Sequence, residues 1–292
     1  MDITLALGGG GSKGNAHIGV LRILEREGFR IRAIAGTSAG GMIACIYAAG
    51  YTPDEIETEI SKASKRKLYG LGSRSAPAIF GVDRIANVLK EMLGDESFDD
   101  LKIPCAVTAV DIGSRQEVVL RKGRVVDALM ATIAIPGVFP PKAWGDRLLV
   151  DGGVLDPVPI TVARSLMKNI PIVASVLSPA PQTWSNLPPP HILKTPLVLE
   201  PITRLRVAQA FELFLRSLDI GQRMLTELRL EVDKPDVIIR PDVAEIGVLD
   251  KVNVAEVVKL GEIAAEKALQ DLYYAVSWKG KMLRRLGFRV PR

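Results

Sequence analysis

A serine flanked by glycines is the residue of this sequence best suited to nucleophilic chemistry. The segment Gly36-Thr37-Ser38-Ala39-Gly40 has the form G-x-S-x-G, and it lies between a predicted strand at residues 31–35 and an alanine-rich helical pattern. In such a turn the serine backbone is strained and its neighbours lie close, so Gly36 and Gly40 are needed there. The turn predicts a Ser38 hydroxyl held above a sheet at the positive end of a helix.

A glycine-rich loop follows the first predicted strand, residues 3–7. Gly9, Gly11 and Gly14 fit G-x-G-x-x-G, but a dinucleotide site also needs an acid after the second strand, where the sequence is Ala33-Ile34-Ala35-Gly36. A P-loop is excluded because Gly-Lys-Ser/Thr is absent. What remains is a set of backbone N–H groups at a helix N-terminus, an arrangement that binds anions. A nucleotide-binding oxidoreductase is an alternative that rests on this glycine pattern alone.

An acidic motif, Asp151-Gly152-Gly153, follows a predicted strand at residues 148–150. We expect its carboxylate at the carboxyl end of a parallel strand, where α/β proteins bind ligands. A simple turn is the alternative, since Asp and Gly are common in turns. A carboxylate with a pKa near 4 is a weak base at pH 7 unless burial raises its pKa.

Only two histidines could complete a Ser-His-Asp relay. His191 follows the chain order Ser, Asp, His of α/β-hydrolases, but it lies in a proline-rich loop with nothing nearby to fix its orientation. His17 lies on the helix after the glycine loop, and we predict that it packs near that loop. We therefore favour a Ser38–Asp151 dyad over a triad. Without a Cys/His cluster, neither a metal site nor another cofactor is predicted.

Alternating strand and helix patterns surround these motifs and predict a mainly parallel sheet with helices on both faces. Residues 178–201 hold seven prolines and cannot form regular structure. A long helix is predicted at 205–230, and its apolar face is interpreted as core or subunit contact, with a lid over an apolar site as the alternative. A closing helix is predicted at 254–272. The further strands are expected at 103–110, 117–120, 171–177 and 237–239.

Composition excludes several classes of protein. With 292 residues, 48% of them apolar and 24% charged, the chain can bury a core and is not disordered as a whole. Residues 33–53 lack charge, but their glycines favour a buried strand, turn and helix over a membrane span. Two cysteines do not make a disulfide framework, and the N-terminus lacks a basic region typical of a signal peptide, so a cytoplasmic location is expected.

The positive charge belongs to the C-terminus. Residues 278–292 hold six Lys or Arg and no acid; removing six from 38 bases leaves 32 against 33 acids. A solvated chain end is one interpretation of this tail, and peripheral contact with an anionic inner membrane surface is the other. No nucleic-acid partner is predicted, and the sequence does not indicate an oligomeric state.

In combination and in this order, the three motifs resemble those of the patatin-like phospholipases, in particular the bacterial branch similar to the neuropathy-target-esterase catalytic domain. The supporting stretches are 16–21 and 134–141, and the resemblance covers residues 3–177, then more weakly 236–250 and the final helix. It implies a three-layer α/β/α fold with a mainly parallel central sheet. It also implies one hydrolase domain over 1–277, with 178–232 as a candidate cap, followed by the basic tail 278–292.

The same resemblance implies lipid acyl hydrolysis by a Ser-Asp dyad without a cofactor. Ser38 would be the nucleophile and Asp151 the base, and the substrate a lipid or other acyl ester of unpredicted chain length and head group. Lys13 would have a structural or electrostatic role. The alternative is a lipid-binding regulatory or adaptor protein with little turnover. The oxyanion hole would consist of Gly9, Gly10, Gly11 and the Ala39 amide, and the supporting motif residues are Gly14, Gly36, Gly40, Gly152 and Gly153.

Overall fold

One mixed β-sheet organises the chain in the computed structural model, which describes residues 1–69, 79–186 and 202–285. In space the strands run in the order β5-β6-β3-β2-β1-β7-β8, with β4 also paired to β3. In chain order the strands are β1 (Asp2–Leu7), β2 (Arg30–Thr37), β3 (Cys105–Asp111), β4 (Gln116–Leu120), β5 (Lys142–Trp144), β6 (Arg147–Asp151), β7 (Ile172–Ser175) and β8 (Val237–Ile239).

The strand pairings of the sheet change from parallel to antiparallel at β3. From β3 through β2, β1 and β7 to β8 every pairing is parallel. Beyond β3, the strands β4 and β6 pair antiparallel with it, and β5 pairs antiparallel with β6. The expectation that Asp151 ends a parallel strand is therefore wrong, because β5 and β6 form a hairpin that reverses the direction of β6. The prediction of a mainly parallel sheet is correct for β1, β2, β3, β7 and β8.

Helices cover both faces of this sheet and produce the predicted α/β/α layers. The described helices are α1 (Ala16–Arg26), α2 (Ala39–Ala48), α3 (Pro53–Tyr69), α4 (Ile79–Leu93), α5 (Val125–Thr132), α6 (Ile160–Leu166), α7 (Ile202–Asp233), α8 (Val254–Lys267), α9 (Leu269–Val276) and α10 (Trp278–Arg285).

Two large apolar cores separate the layers, and a small third cluster lies around Ala16 and Leu177. The larger core joins the sheet to α1, α2, α8 and α9, and fully buried side chains such as Leu5, Ile18 and Leu21 lie in it. The smaller core lies on the opposite face and joins β1, β2, β3 and β7 to α6 and to Leu230 of α7. β1 is buried on both faces, which explains why residues 3–7 are apolar at every position except Thr4.

The C-terminal region differs from the prediction in two respects. The closing helix is divided at Ala268 into α8 and α9. The basic tail begins as α10, where Arg284 donates to Asp236 Oδ1 at 2.8 Å and to the Ala275 carbonyl at 2.7 Å. Residues 286–292 lie outside the described residues. Within the described ranges, no helix combines the length and apolar character needed to cross a bilayer.

Candidate active site

Ser38 lies in a sharp turn between β2 and α2. Its backbone has φ 54° and ψ −125°, a conformation that a non-glycine residue rarely adopts, and its N–H donates to Thr132 Oγ1 at 2.9 Å. A Cβ at Gly40 would meet the carbonyl oxygens of Leu7 and Gly8, and one at Gly36 would meet the Gly40 carbonyl. The close approach of these backbones explains why both glycines flank the serine.

The glycine loop joins β1 to a 3-10 turn at Gly11–Asn15. Gly11 has φ +57°, and a Cβ there would meet the Val248 carbonyl. The Gly9 N–H donates to the Pro157 carbonyl at 2.9 Å. This contact differs from the prediction that Gly9 belongs to the oxyanion hole. Its N–H is already bonded to a carbonyl and is therefore not available to an oxyanion. No acceptor among the described residues takes the N–H of Gly10 or Gly11.

His17 anchors the start of this loop through hydrogen bonds of both of its ring nitrogens. Its Nε2 lies 2.8 Å from the Gly8 carbonyl and its Nδ1 lies 2.9 Å from Ser175 Oγ. Because a carbonyl only accepts, Nε2 carries the proton and Nδ1 accepts from the Ser175 hydroxyl. Burial lowers the pKa of His17 to about 4, so the ring is neutral at pH 7. The predicted packing of His17 near the loop is confirmed. His191 lies outside the described residues.

Asp151 reaches the same place from the antiparallel side of the sheet. It ends β6 opposite Ala109 of β3, one residue beyond Thr108, which is opposite Thr37 at the end of β2. Its Oδ1 accepts from the Gly153 N–H at 2.7 Å. A Cβ at Gly152 would meet the Thr108 carbonyl and hydroxyl, so the motif is pressed against β3. The two strand registers thus bring Asp151 beside the residue that follows Thr37.

The ionisation of Asp151 is strongly perturbed. Burial raises its pKa from the ordinary 3.8 to about 6, while the Ser38 hydroxyl and the Gly153 N–H lower it to a smaller extent. The Asp151 residue as a whole is only 3% exposed to solvent. At pH 7 it is therefore ionised and yet much more basic than an ordinary aspartate.

Ser38, Asp151 and the glycine loop line one pocket, and α7 forms its opposite wall. The packing prediction for the apolar face of this helix is thus incomplete, because Leu215 and Leu218 line the pocket as well. Sequence reasoning missed four polar residues that the same helix contributes: Asp219, Gln222, Arg223 and Thr226. Their signal was an Asp and an Arg four residues apart within a largely apolar helical pattern. The other apolar lining residues include Ile135, Val138, Val158, Val176 and Leu177.

Lys13 and Gly14 occupy the turn between the loop and α1. Lys13 lines the pocket although its residue is only 4% exposed, and burial lowers its pKa, partly offset by Asp219. A Cβ at Gly14 would lie 2.6 Å from the Ala39 Cβ, so the loop packs directly on the first residue of α2. The predicted motif residues therefore meet around one cavity.

Comparisons with known proteins relate this chain to one protein family. The family model of the patatin-like phospholipases matches residues 5–164. An uncharacterized NTE family protein of Mycobacterium tuberculosis is 35% identical over 176 residues, covering 60% of this chain and 49% of that protein. A second is 29% identical over 277 residues, covering 92% and 46%. The chain thus spans about half the length of these curated relatives.

More distant relatives extend the comparison. The lysophospholipase NTE1 of Candida albicans is 31% identical over 164 residues, which are 54% of this chain and 12% of that protein. Among solved structures, VipD from Legionella pneumophila superposes with a TM-score of 0.53 at 13% identity, covering 92% of this chain and 66% of that one, which supports the fold alone. The chain belongs to the patatin-like phospholipase family.

Proposed function

We propose that this protein is a serine lipid acyl hydrolase that cleaves fatty-acyl esters through an acyl-serine, with Asp151 as the only side-chain base. The observation that carries the proposal is the position of Ser38. It lies in a strained strand-to-helix turn beside a buried carboxylate whose pKa is about 6, in an apolar pocket. Family membership supports hydrolysis of lipid esters, as the name of the Candida albicans relative does.

The first half of the reaction forms the acyl-enzyme. Asp151 accepts the Ser38 proton while Oγ attacks the ester carbonyl carbon. The negative oxygen then accepts hydrogen bonds from the backbone N–H groups of Gly10, Gly11 and Ala39. These residues have no side chain larger than a methyl group, so the oxygen can approach their backbone closely. Collapse of this intermediate breaks the ester bond, and protonated Asp151 gives its proton to the leaving alkoxide.

Hydrolysis of the acyl-enzyme uses the same groups in reverse. Asp151 accepts a proton from water, the hydroxide attacks the acyl carbonyl, and the N–H groups again stabilise the oxyanion. Release of the fatty acid returns the proton to Ser38 Oγ. His17 has no part in this cycle because both of its ring nitrogens are bonded to the loop and to Ser175.

Purified variants test this mechanism with a fatty-acyl ester and a fluorophosphonate probe. Ser38→Ala is expected to lose both hydrolysis and labelling. Asp151→Asn is expected to lower kcat by about 10²–10⁴, the range for loss of a general base. His191→Ala is the matched control, and its kcat should stay near the wild-type value. Circular dichroism establishes that each variant is folded.

Three outcomes would contradict the proposal. Esterase activity retained by Ser38→Ala would remove the nucleophile, and a collapse of kcat in His191→Ala would restore a triad. Lipid binding by the wild-type protein without turnover or probe labelling would favour the regulatory or adaptor alternative.

A further inference from the structure

The solvent-facing side of α7 between residues 213 and 228 carries no charge. Seven positions of this stretch are exposed, and together we call them the outer face: Leu213, Phe214, Ser217, Ile220, Gly221, Met224 and Leu228. The exposed fraction is 66% at Leu213 and 68% at Ile220. The charged residues of the same stretch lie on its half-buried flanks instead: Arg216, Asp219, Arg223 and Glu227. A surface helix of a globular protein ordinarily shows the reverse distribution.

The outer face is separate from the side of α7 that lines the pocket. All seven of its residues are described, and none of them lines the pocket or belongs to an apolar core. The pocket instead receives residues such as Leu215, Leu218 and Gln222 from the opposite side of the helix. Several large apolar side chains left together in water are typical of an interaction surface. The outer face therefore calls for a partner.

The residues of the outer face are complementary to the same residues taken in the opposite direction. Counted outwards from the midpoint between residues 220 and 221, three pairs fall level with each other: Ile220 with Gly221, Met224 with Ser217, and Leu213 with Leu228. Two of these pairs set a large side chain against a small one, which is how facing helix surfaces interlock. At Gly221 nothing lies within 4 Å of a hypothetical Cβ, so a second helix has room to approach.

We propose that the outer face of α7 is a homodimer interface, in which two copies of the chain pack their α7 helices antiparallel about a twofold axis near Gly221. A twofold contact requires one surface patch that fits itself, and the outer face meets this requirement. The stripe from Leu213 to Leu228 is about 22 Å long on a helix about 10 Å wide. Because this is less than the ~800 Å² per partner of a standard interface, we expect a reversible dimer with a Kd of about 1–100 µM.

The charges of α7 favour a second copy over a lipid bilayer as the partner. Helices that lie in a membrane surface carry an excess of Lys and Arg, which attracts them to anionic lipids. Between residues 213 and 233 the three basic residues of α7 are outnumbered by four acidic ones: Arg216, Arg223 and Arg229 against Asp219, Glu227, Glu231 and Asp233. A second copy of an uncharged face needs no such excess.

Sedimentation of the full-length protein tests the interface. Wild type is expected to pass from monomer to dimer between about 1 and 200 µM, a range that includes the expected Kd. Ile220→Glu puts a charge at the centre of the contact and should weaken the dimer by about tenfold or more. Ile263→Glu is the matched control, because Ile263 is a partly exposed apolar residue of α8, on the opposite face of the sheet. Circular dichroism establishes that both variants are folded.

Disulfide cross-linking tests the antiparallel register. Gly221→Cys should form a covalent dimer on mild oxidation, because the two copies of this residue meet at the twofold axis. Val232→Cys is the control: in the proposed pair its two copies are about 35 Å apart along the helices, too far for a disulfide. Val232 is 71% exposed, so random collisions would cross-link it readily. The natural cysteines, Cys45 and Cys105, are buried and do not interfere.

Four results would overturn the proposal. Wild type could remain a monomer throughout the concentration range, or Ile220→Glu could dimerise with an unchanged Kd. Cross-linking of Val232→Cys as fast as Gly221→Cys would exclude the antiparallel register. Flotation of wild type, but not of Ile220→Glu, with vesicles of phosphatidylcholine and phosphatidylglycerol, together with a monomer in buffer, would assign the outer face to a bilayer. None of these measurements uses ester turnover, so their outcome is independent of the proposed hydrolase activity.

Discussion

The turn that holds Ser38 and the turn that holds Asp151 control their side chains by different physical means. Around Ser38 the constraint is steric: a strained φ and backbones that leave no room for a Cβ at Gly36 or Gly40. Around Asp151 the constraint is electrostatic, because burial raises the pKa to about 6 and one N–H holds Oδ1. The first turn fixes the position of Ser38 Oγ, and the second sets how strongly the Asp151 carboxylate binds a proton.

Replacing a glycine beside Ser38 should have the largest effect. Gly40→Ala places a methyl group against the Leu7 and Gly8 carbonyls, so either the protein fails to fold or α2 shifts and Ser38 moves. We expect a loss of about 3 kcal/mol or more in the free energy of unfolding, the upper range for overpacking, measured by urea denaturation. Activity should fall with it.

Gly221→Ala is the control for that substitution. Gly221 lies inside α7 with nothing within 4 Å of its hypothetical Cβ. Alanine should raise the free energy of unfolding by about 0.5–1 kcal/mol through its better helix propensity. A similar loss of stability in both variants would show that the Ser38 turn is not a special steric site.

Removing the charge of Asp151 should raise stability while it lowers activity. Its pKa in the folded state lies above the ordinary 3.8, so the folded protein favours the protonated form. The free energy of unfolding of the wild type is therefore highest, with respect to this group, below pH 4, where Asp151 is protonated. This contribution is lost as the pH rises through about 6. At pH 8 we expect Asp151→Asn to be more stable than wild type by about 2–3 kcal/mol, with the difference vanishing near pH 4.

Two measurements check this point together. Denaturation of both proteins across pH 4–8 follows the stability difference, and kcat/KM of the wild type across the same range should rise through about pH 6 and then level off. A stability difference independent of pH would contradict the role given to burial.

His17 provides a second test, because burial lowers its pKa whereas burial raises the pKa of Asp151. Its pKa is lowered to about 4, so the neutral ring stabilises the fold above pH 6.5 and this stability is lost as the pH falls towards 4. His17→Gln should cost about 1–3 kcal/mol at pH 7 through unpaired buried groups, and the cost should shrink at lower pH. Its kcat/KM profile should keep the midpoint near 6. A displaced midpoint would show that His17 takes part in proton transfer.

The steric part of the site could be predicted from sequence because it is local. Gly36 is needed because the Gly40 carbonyl lies where its Cβ would be, and Gly11 because its own φ is +57°, so short motifs reveal them. Gly40 belongs to the same motif, although the carbonyls that exclude its Cβ come from Leu7 and Gly8. The direction of β6 was missed, although Trp144 pairs with Arg147 across the two-residue loop Gly145-Asp146, and Gly145 has φ +60°. A glycine-containing two-residue loop between short apolar runs is a hairpin signal that could have been recognised.

The electrostatic part could not be predicted because it depends on distant packing. Arg223 and Asp219 reach the pocket only because α7 lies over it, and no local pattern connects α7 with Asp151. The engagement of the Gly9 amide by Pro157 likewise joins segments separated by almost 150 residues. The spacing of Asp219 and Arg223 marks a polar pair on the helix, but it does not tell which pocket the pair reaches, because that follows from the assembled layers.

The reversal of strand direction at β3 has a consequence for how this fold tolerates change. Ser38 and Asp151 are aligned by the two hydrogen-bonded ladders that share β3, with Thr37 opposite Thr108 in one and Ala109 opposite Asp151 in the other. The segment between β3 and β6 also supports this alignment, because Thr132 Oγ1 accepts from the Ser38 N–H and the Ala134 carbonyl accepts from the Asp151 N–H. Insertions in the β5–β6 turn at Gly145-Asp146 can therefore reshape the rim of the molecule while the reacting atoms keep their separation, but insertions near Thr132 cannot.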